Sequence, residues 1–419
     1  MEIQVHHLTR VEGHGDLIAK VRDGRPLEAR FDVVEPNRFF EAILRGRNAE
    51  EVVHIASRIC GICAVSHSCA ALLATEKAIG LGISEQTFLL RRLVMNAEVM
   101  SSHALHVLFL AAPDFVGIPS VMPLVKENPE LVRRAFRIKL AGYDLGQAVL
   151  GRHTHPVTAA PGGYTAVPQP EALARMRDRL VDLRADLQAA ADLYHSFTVP
   201  DFTRETEYVC LRRPDFYSFY DGDIVSTDGG RIATEDYREN LHEYVVLGSN
   251  AKQAKWHRDS YMVGALARVN NNAGQLHPAA AAAMEALGLR VPCHNPFMNT
   301  VAQLVETIHC NEDSIGLIET LLARGIEKEW EPEIPQRAGR GVGVVEAPRG
   351  LLIHDYAYGG DGRCVEANCI IPTNQNMGNL NADLPQFLAR IADQTEPEVR
   401  QQLEMLVRAY DPCISCSVH

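Results

Sequence analysis

The chain has 419 residues, of which 46% are hydrophobic and 22% charged, and its net charge is -12. That is the balance of a folded globular protein with a sizeable core. The acidic charge and the lack of a dense Lys/Arg block argue against a nucleic-acid footprint or a polybasic membrane anchor.

Residues 1–59 open polar, in "MEIQVHHLTRVEGHGDL", without the apolar region of a secretory signal, so a cytoplasmic location is expected. Alternating apolar and polar positions then predict strands, with a hairpin turn at Asp23-Gly24. Short helices are expected at Phe39–Leu44 and Ala49–Ile55. From Ser66 the spacing turns helical and ends at Gly80, followed by a long apolar-periodic helix over Glu85–Leu110 that is close to apolar all round near "ALHVLFLAA" and should lie buried. No stretch of about 20 apolar residues appears, so no transmembrane helix is expected.

Further helices are predicted at Pro129–Leu150, Pro170–His195, Gln275–Leu287 and Asn299–Arg324, with a mixed strand-and-turn region over 198–250. Residues 339–372 read as β, with a turn at 359–362, and a last helix over Leu384–Ala409 delivers the chain to its C-terminus. "GRGVGVV" at 339–345 feeds a strand, not a helix, and reads as close backbone packing rather than a dinucleotide loop. The expected fold is α+β and mainly α, a long-helix bundle with peripheral β segments. It is read as a single unit over 1–419, with 1–65 carrying β segments and short helices, 66–330 the helical core, and 331–419 a β segment and the tail.

Ten cysteines are present, and four of them form two Cys-x-x-Cys pairs, Cys60/Cys63 and Cys413/Cys416. This spacing lets two thiolates face one ion. Zinc ribbons keep their pairs within a few tens of residues, whereas here about 350 residues intervene. A site built from both chain ends must close through the whole fold, which suits a large buried cofactor. The other six cysteines, Cys69, Cys210, Cys293, Cys310, Cys364 and Cys369, read as small buried hydrophobes.

The flanks are specific. The first pair stands in "RICGICAVSH", with His67 four residues on, and the second in "DPCISCSVH", closed by His419. Together they resemble the large, catalytic subunit of [NiFe] hydrogenases, and the resemblance runs from Arg10 to His419. It implies a nickel held by four thiolates, two of them bridging to an iron with one CO and two CN⁻ ligands. By position, Cys60 and Cys413 match the terminal ligands and Cys63 and Cys416 the bridging ones. It implies reversible heterolytic cleavage of H2, in which a thiolate such as Cys416 can accept a proton.

Other segments extend the resemblance. Glu12 in "RVEGHGDL" matches a proton-relaying glutamate, and Arg349 in "EAPRGLLIH" an arginine over the open face of the metals. Pro372 and Thr373 in "IIPTNQN" match residues that contact a cyanide, and His67 belongs to the same surroundings. Glu41 in "NRFFEAILRGR" and His419 match the ligands of a second ion, Mg²⁺ or Fe²⁺, to which a backbone carbonyl near Val365–Ala367 is expected to contribute. His155 and Gly162-Gly163 match a family loop whose expected role is packing against the electron-transfer partner.

One departure matters. Many respiratory members carry Asp where "VMSSHALH" has Ser102, and Ser forms no charge-assisted pair with Arg349. That segment and the compact length look more like the cytoplasmic, cofactor-coupled hydrogenases linked to F420, heterodisulfide or NAD(P). Too few further cysteines remain for an iron–sulfur relay in this chain, so an iron–sulfur small subunit is the expected electron partner. Flavin, F420, NAD(P) or heterodisulfide-reductase subunits are expected beyond it. The resemblance also implies nickel-insertion proteins and a protease that removes an extension beyond His419. Two rivals are a zinc protein using the same cysteines and a non-catalytic relative such as the quinone-site subunit of complex I, a lineage that lacks the metal cysteines.

Overall fold

The computed structural model describes residues 1–329 and 333–419. The chain opens with an antiparallel sheet of β1 (Glu2–Val5), β2 (Gly15–Arg22) and β3 (Arg25–Val33), turning at Asp23-Gly24 as the spacing predicts. Two short helices follow, α1 (Phe40–Leu44) and α2 (Ala49–Ala56). Asn48 and Glu51 form a reciprocal capping box that starts α2. A helical turn at Ser57–Ile59 brings the chain to Cys60.

Helix α3 (Ala64–Ile79) begins directly after Cys63 and ends where Gly80 takes a left-handed conformation. Helix α4 (Glu85–Leu105), capped by Ser84, continues into a π-helical turn at His106–Ala111 that the periodicity does not signal. Glu85–Phe115 is long and apolar enough to cross a membrane by length and composition alone. Its apolar window is instead 83% buried inside the protein, against α5 (Pro129–Leu150) and the long central helix described below. Helix α6 (Pro170–His195) flanks the bundle. The mixed region supplies β4 (Glu207–Arg212) and β5 (Asp223–Ser226), and α7 (Ala265–Asn272) packs on β4. The central helix α8 (Met298–Arg324) crosses α4 and α6.

Beyond residue 338 a second sheet forms from β6 (Gly339–Ala347), β7 (Gly350–Tyr358) and β8 (Cys364–Ile370). It contains two tight turns where one is expected. The additional turn is the pair Pro348-Arg349, since Ala347 pairs directly with Gly350, whose φ of 130° suits glycine. The glycines of β6 do pack closely: a Cβ on Gly343 would meet the Ala70 carbonyl of α3 at 2.1 Å. The last stretch is two helices rather than one, α9 (Pro372–Ile391) and α10 (Glu396–Ala409). The break follows from a capping box between Thr395 and Glu398, with a proline in the first turn. A single turn, α11 (Ile414–Ser417), carries the terminal cysteines.

Candidate metal centre

The first cysteine pair sits where a loop meets a helix. Cys60 lies in extended backbone, and its Sγ accepts the N–H groups of Ile62 and Cys63, each at 3.2 Å. Cys63 is the N-cap of α3, at the positive end of a helix dipole. Glu98 of α4 accepts the N–H groups of Val65 and Ser66 at 2.7 and 2.9 Å and so fixes the first turn of α3.

The second pair is brought in by the tail. Cys413 is the N-cap of α11, and its N–H donates to Thr373 Oγ1 at 3.0 Å. Arg38 staples the tail down: its N–H donates to the Val418 carbonyl at 2.7 Å, and its guanidinium reaches the carbonyls of Ile59 and Ser415. One residue thereby ties both cysteine segments together.

The four Sγ atoms lie within 4.8 Å of one another, and all four residues are buried. Cys60 stands 3.5 Å from Cys413, Cys63 3.4 Å from Cys416, and Cys413 2.9 Å from Cys416. Burial pushes the Cys416 thiol up, and its hydrogen bonds to the other three thiols add to that. At Cys60 burial acts the same way, but hydrogen bonds from Cys413, Cys416 and Cys63 outweigh it, so this thiol sits well below the ordinary range. Four convergent thiols of this kind suit a soft or borderline metal that deprotonates all of them.

The remaining predicted residues surround this cluster. Glu12 Oε2 lies 3.3 Å from Cys413 Sγ and accepts the Ser415 N–H at 3.0 Å, and the Ser415 hydroxyl donates to Oε1. Arg349 projects from the β6–β7 turn and, with Pro372, Thr373 and His67, lines a small cavity beside Cys63, Cys413 and Cys416. Its Nη2 donates to Asp411 Oδ1 and its Nε to the Asp411 carbonyl, each at 2.8 Å. Nη1 reaches Ser102 Oγ at 3.2 Å. So Ser102 does contact the arginine, but the charged partner is Asp411. Thr373 Oγ1 accepts from Cys413, which leaves its own O–H to donate elsewhere. His67 Nδ1 pairs with His354 Nε2 at 3.0 Å, and burial pushes the His67 imidazole down to about 4.

Glu41 and His419 meet at 3.5 Å beside the cluster. Burial opposes the charge on Glu41, but the His419 ring and the Cys369 N–H, at 2.9 Å, hold its carboxyl below the usual range. His419 Nδ1 lies 3.1 Å from the Cys416 carbonyl. Val365 is exposed on β8, and the contact from that strand to Glu41 comes through Cys369 N–H. His155 holds the Ser57 carbonyl at 3.0 Å, close to the first cysteine segment, whereas Gly162 donates to Glu76, in the second half of α3. Of the six other cysteines, five are buried and Cys293 is half-buried. A groove of about 780 Å³ between α6, α8 and Ala279–Leu287 has none of these groups.

Sequence reasoning missed Arg38, Asp411, Glu98 and His354. Arg38, Asp411 and His354 stand inside the segments "NRFF", "DPC" and "EAPRGLLIH", which mark their neighbourhood but not their partners. Glu98 has no such signal and is joined to the site by contacts between distant parts of the chain.

The family model for nickel-dependent hydrogenases matches residues 38–139 and 216–419. The chain is 33% identical over 420 residues to the alpha subunit of sulfhydrogenase 2 of Pyrococcus furiosus, covering 100% of this chain and 99% of that one. It is 26% identical over 463 residues to the beta subunit of the NAD-reducing hydrogenase HoxS of Cupriavidus necator, covering 100% and 94%. Among solved structures, an NAD+-reducing [NiFe]-hydrogenase in the H2-reduced state superposes with a TM-score of 0.89 at 29% identity, covering 100% and 99%.

Proposed function

Because the chain belongs to the nickel-dependent hydrogenase family, as a large subunit that acts on H2, we propose that its four thiolates hold a nickel–iron centre whose iron carries two cyanides and one carbon monoxide. The observation that carries this is the convergence of four buried Sγ atoms from both chain ends within 4.8 Å. Such a centre would supply the site where H2 is split heterolytically, giving in total two protons and two electrons.

The chain's own groups do the rest. Cys60, Cys63, Cys413 and Cys416 are the ligands, and the N–H groups donated to Cys60 stabilise its thiolate. Arg349 places a permanent cation and free N–H donors over the cavity, suited to hydrogen-bond an anionic diatomic. The free O–H of Thr373 serves the same purpose, and Pro372 and His67 close the cavity walls. Glu12 takes a proton from Cys413 Sγ, its neighbour at 3.3 Å, and passes it outward. Glu41 and His419 hold a hard cation, Mg²⁺ or Fe²⁺. The unpartnered, buried Oε1 of Glu243, within electrostatic reach of both, is a fitting anchor for that cation's water shell.

Electrons leave towards a partner. Gly61, between the two ligands of the first pair, is exposed, so the cluster comes within one residue of the surface there, near the His155 loop. An iron–sulfur small subunit docked on that face, with further cofactor-binding subunits behind it, would complete a cytoplasmic enzyme of the cofactor-coupled type. Nickel-insertion proteins and a tail-cleaving protease would act before the terminus folds in.

Elemental analysis combined with infrared spectroscopy tests the reading. Nickel and iron together, with bands of bound CO and CN⁻, are expected in the active preparation. Zinc alone, without those bands, would favour a zinc protein and overturn it.

A further inference from the structure

The hydrogen bonds behind Arg349 do not balance with a neutral histidine. Asp411 accepts from Arg349 Nη2 on Oδ1 at 2.8 Å and from Gln303 Nε2 on Oδ2 at 2.9 Å. The carboxylate therefore fixes which end of the Gln303 amide faces it, since two acceptor oxygens at that distance would repel. Gln303 Oε1 is thereby turned to His106 Nδ1, at 2.5 Å. His106 Nε2 meets the Arg408 carbonyl at 2.8 Å. Both ring nitrogens thus face acceptors, and a neutral imidazole has one N–H to offer. His106 and Gln303 are each 1% exposed, which makes a missing hydrogen bond costly.

We propose that His106 is a buried imidazolium, a positioning residue whose charge locks Gln303 and Asp411 and through them Arg349. Three observations favour the charge on the ring. Nε2 also lies 3.9 Å from Asp411 Oδ1. The Arg408 carbonyl belongs to the last turn of α10, the negative end of a helix dipole. The neighbouring charged groups are already paired: Glu306 with Arg268 and His103, and Asp114 with Arg10 and Arg408. Asp411 alone faces both cations. Turning the Gln303 amide over with a neutral ring would need a proton on Asp411, against its ion pair with Arg349.

The consequence is electrostatic. Asp411 cancels the charge of Arg349, and His106 restores one positive charge behind that ion pair. Such a charge favours a more anionic centre. This second step rests on the nickel–iron reading, whereas the protonation state does not.

Nitrogen-15 NMR of the assembled, nickel-loaded enzyme with labelled histidine separates the two. One histidine is expected to show two imidazolium-type ring nitrogens at pH 8, a signal missing in His106→Asn. A neutral pattern, one protonated and one bare nitrogen, would overturn the proposal. Gln303→Leu keeps the ring and removes its acceptor, so the signal should be lost; its persistence would refute the hydrogen-bond accounting. In His106→Asn the midpoint potential of the centre should shift to more negative values, and an unchanged potential would refute the electrostatic role. If the centre lacked nickel and iron, the NMR result would stand and the potential would have no signal to report.

Discussion

Two buried arginines, Arg268 and Arg349, approach the same β6–β7 turn, and the protein uses their donors differently. Arg268 donates all five N–H groups within the protein. Nε and Nη2 grip Glu306 as a fork at 2.6 Å each, Nη1 meets Glu346 at 2.8 Å, and the carbonyls of Ala347 and Pro348 take the other two. Arg349, one residue further on, makes three hydrogen bonds among the described residues and lines the cavity beside the cysteines. A saturated buried cation is scaffold, fixing the turn from behind. An unsaturated one in a buried site is poised for a ligand. Burial alone would not have told them apart.

The comparison predicts that damage on the two sides reads out differently. The largest effect belongs to the ligands. Cys416→Ser should prevent a stable bimetallic centre and lower activity by at least about a thousandfold, with little change in overall fold by circular dichroism. Full nickel and iron occupancy in this variant would contradict the ligand assignment. Next comes Arg349→Lys, since an ammonium cannot reproduce the fork. It should keep its metals and its thermal stability and lose roughly a hundredfold or more in rate. Arg268→Lys should do the reverse, costing about 1–3 kcal/mol of stability through the buried acceptors that an ammonium cannot reach. Equal loss of stability in both variants would erase the distinction. Glu12→Gln should retain nickel and iron and slow H2/D⁺ exchange by roughly a hundredfold. Unchanged exchange would remove Glu12 from the proton path.

How much of this was legible in the sequence follows from the range of each interaction. The cysteine pairs are local patterns, and Gly80, Asp23-Gly24 and the prolines at 129 and 170 mark their turns and helix starts by local chemistry. The break between α9 and α10 was also readable, because Thr395 and Glu398 are a capping box in plain sight. Arg349, Glu41 and Glu12 came from the resemblance, not from periodicity. Asp411 meeting Arg349, Gln303 meeting Asp411, and Arg38 tying Ile59 to Ser415 join residues 62, 108 and hundreds of positions apart. No local rule encodes such contacts. The π-helical turn at His106 likewise has no pattern of its own, since its residues, HVLFLA, would fit an ordinary buried α-helix equally well.

The smallest expected effect tests the scaffold side alone. One guanidinium cannot neutralise two carboxylates, and the geometry decides which is left over. Burial opposes the charge of both. At Glu306 the forked bond to Arg268 and the contact with His103 outweigh it and hold the carboxyl down to about 2. At Glu346 the single bond to Arg268 offsets burial only in part, and the carboxyl is pushed up to about 7 from an ordinary value of 4.5. Between those values the folded state binds more protons at Glu346 than the unfolded chain, so this group's contribution to stability falls as pH rises from about 4.5 to about 7. Glu306 acts in the opposite sense, losing its contribution as pH falls from 4.5 towards about 2. Glu346→Gln keeps the shape and removes the titration. Relative to the natural chain it should gain stability from pH 5 to pH 8, by on the order of 1–3 kcal/mol. Thermal unfolding midpoints of both proteins across that range measure the difference. Parallel curves would mean that Glu346 is charged throughout, and that Arg268 neutralises both carboxylates after all.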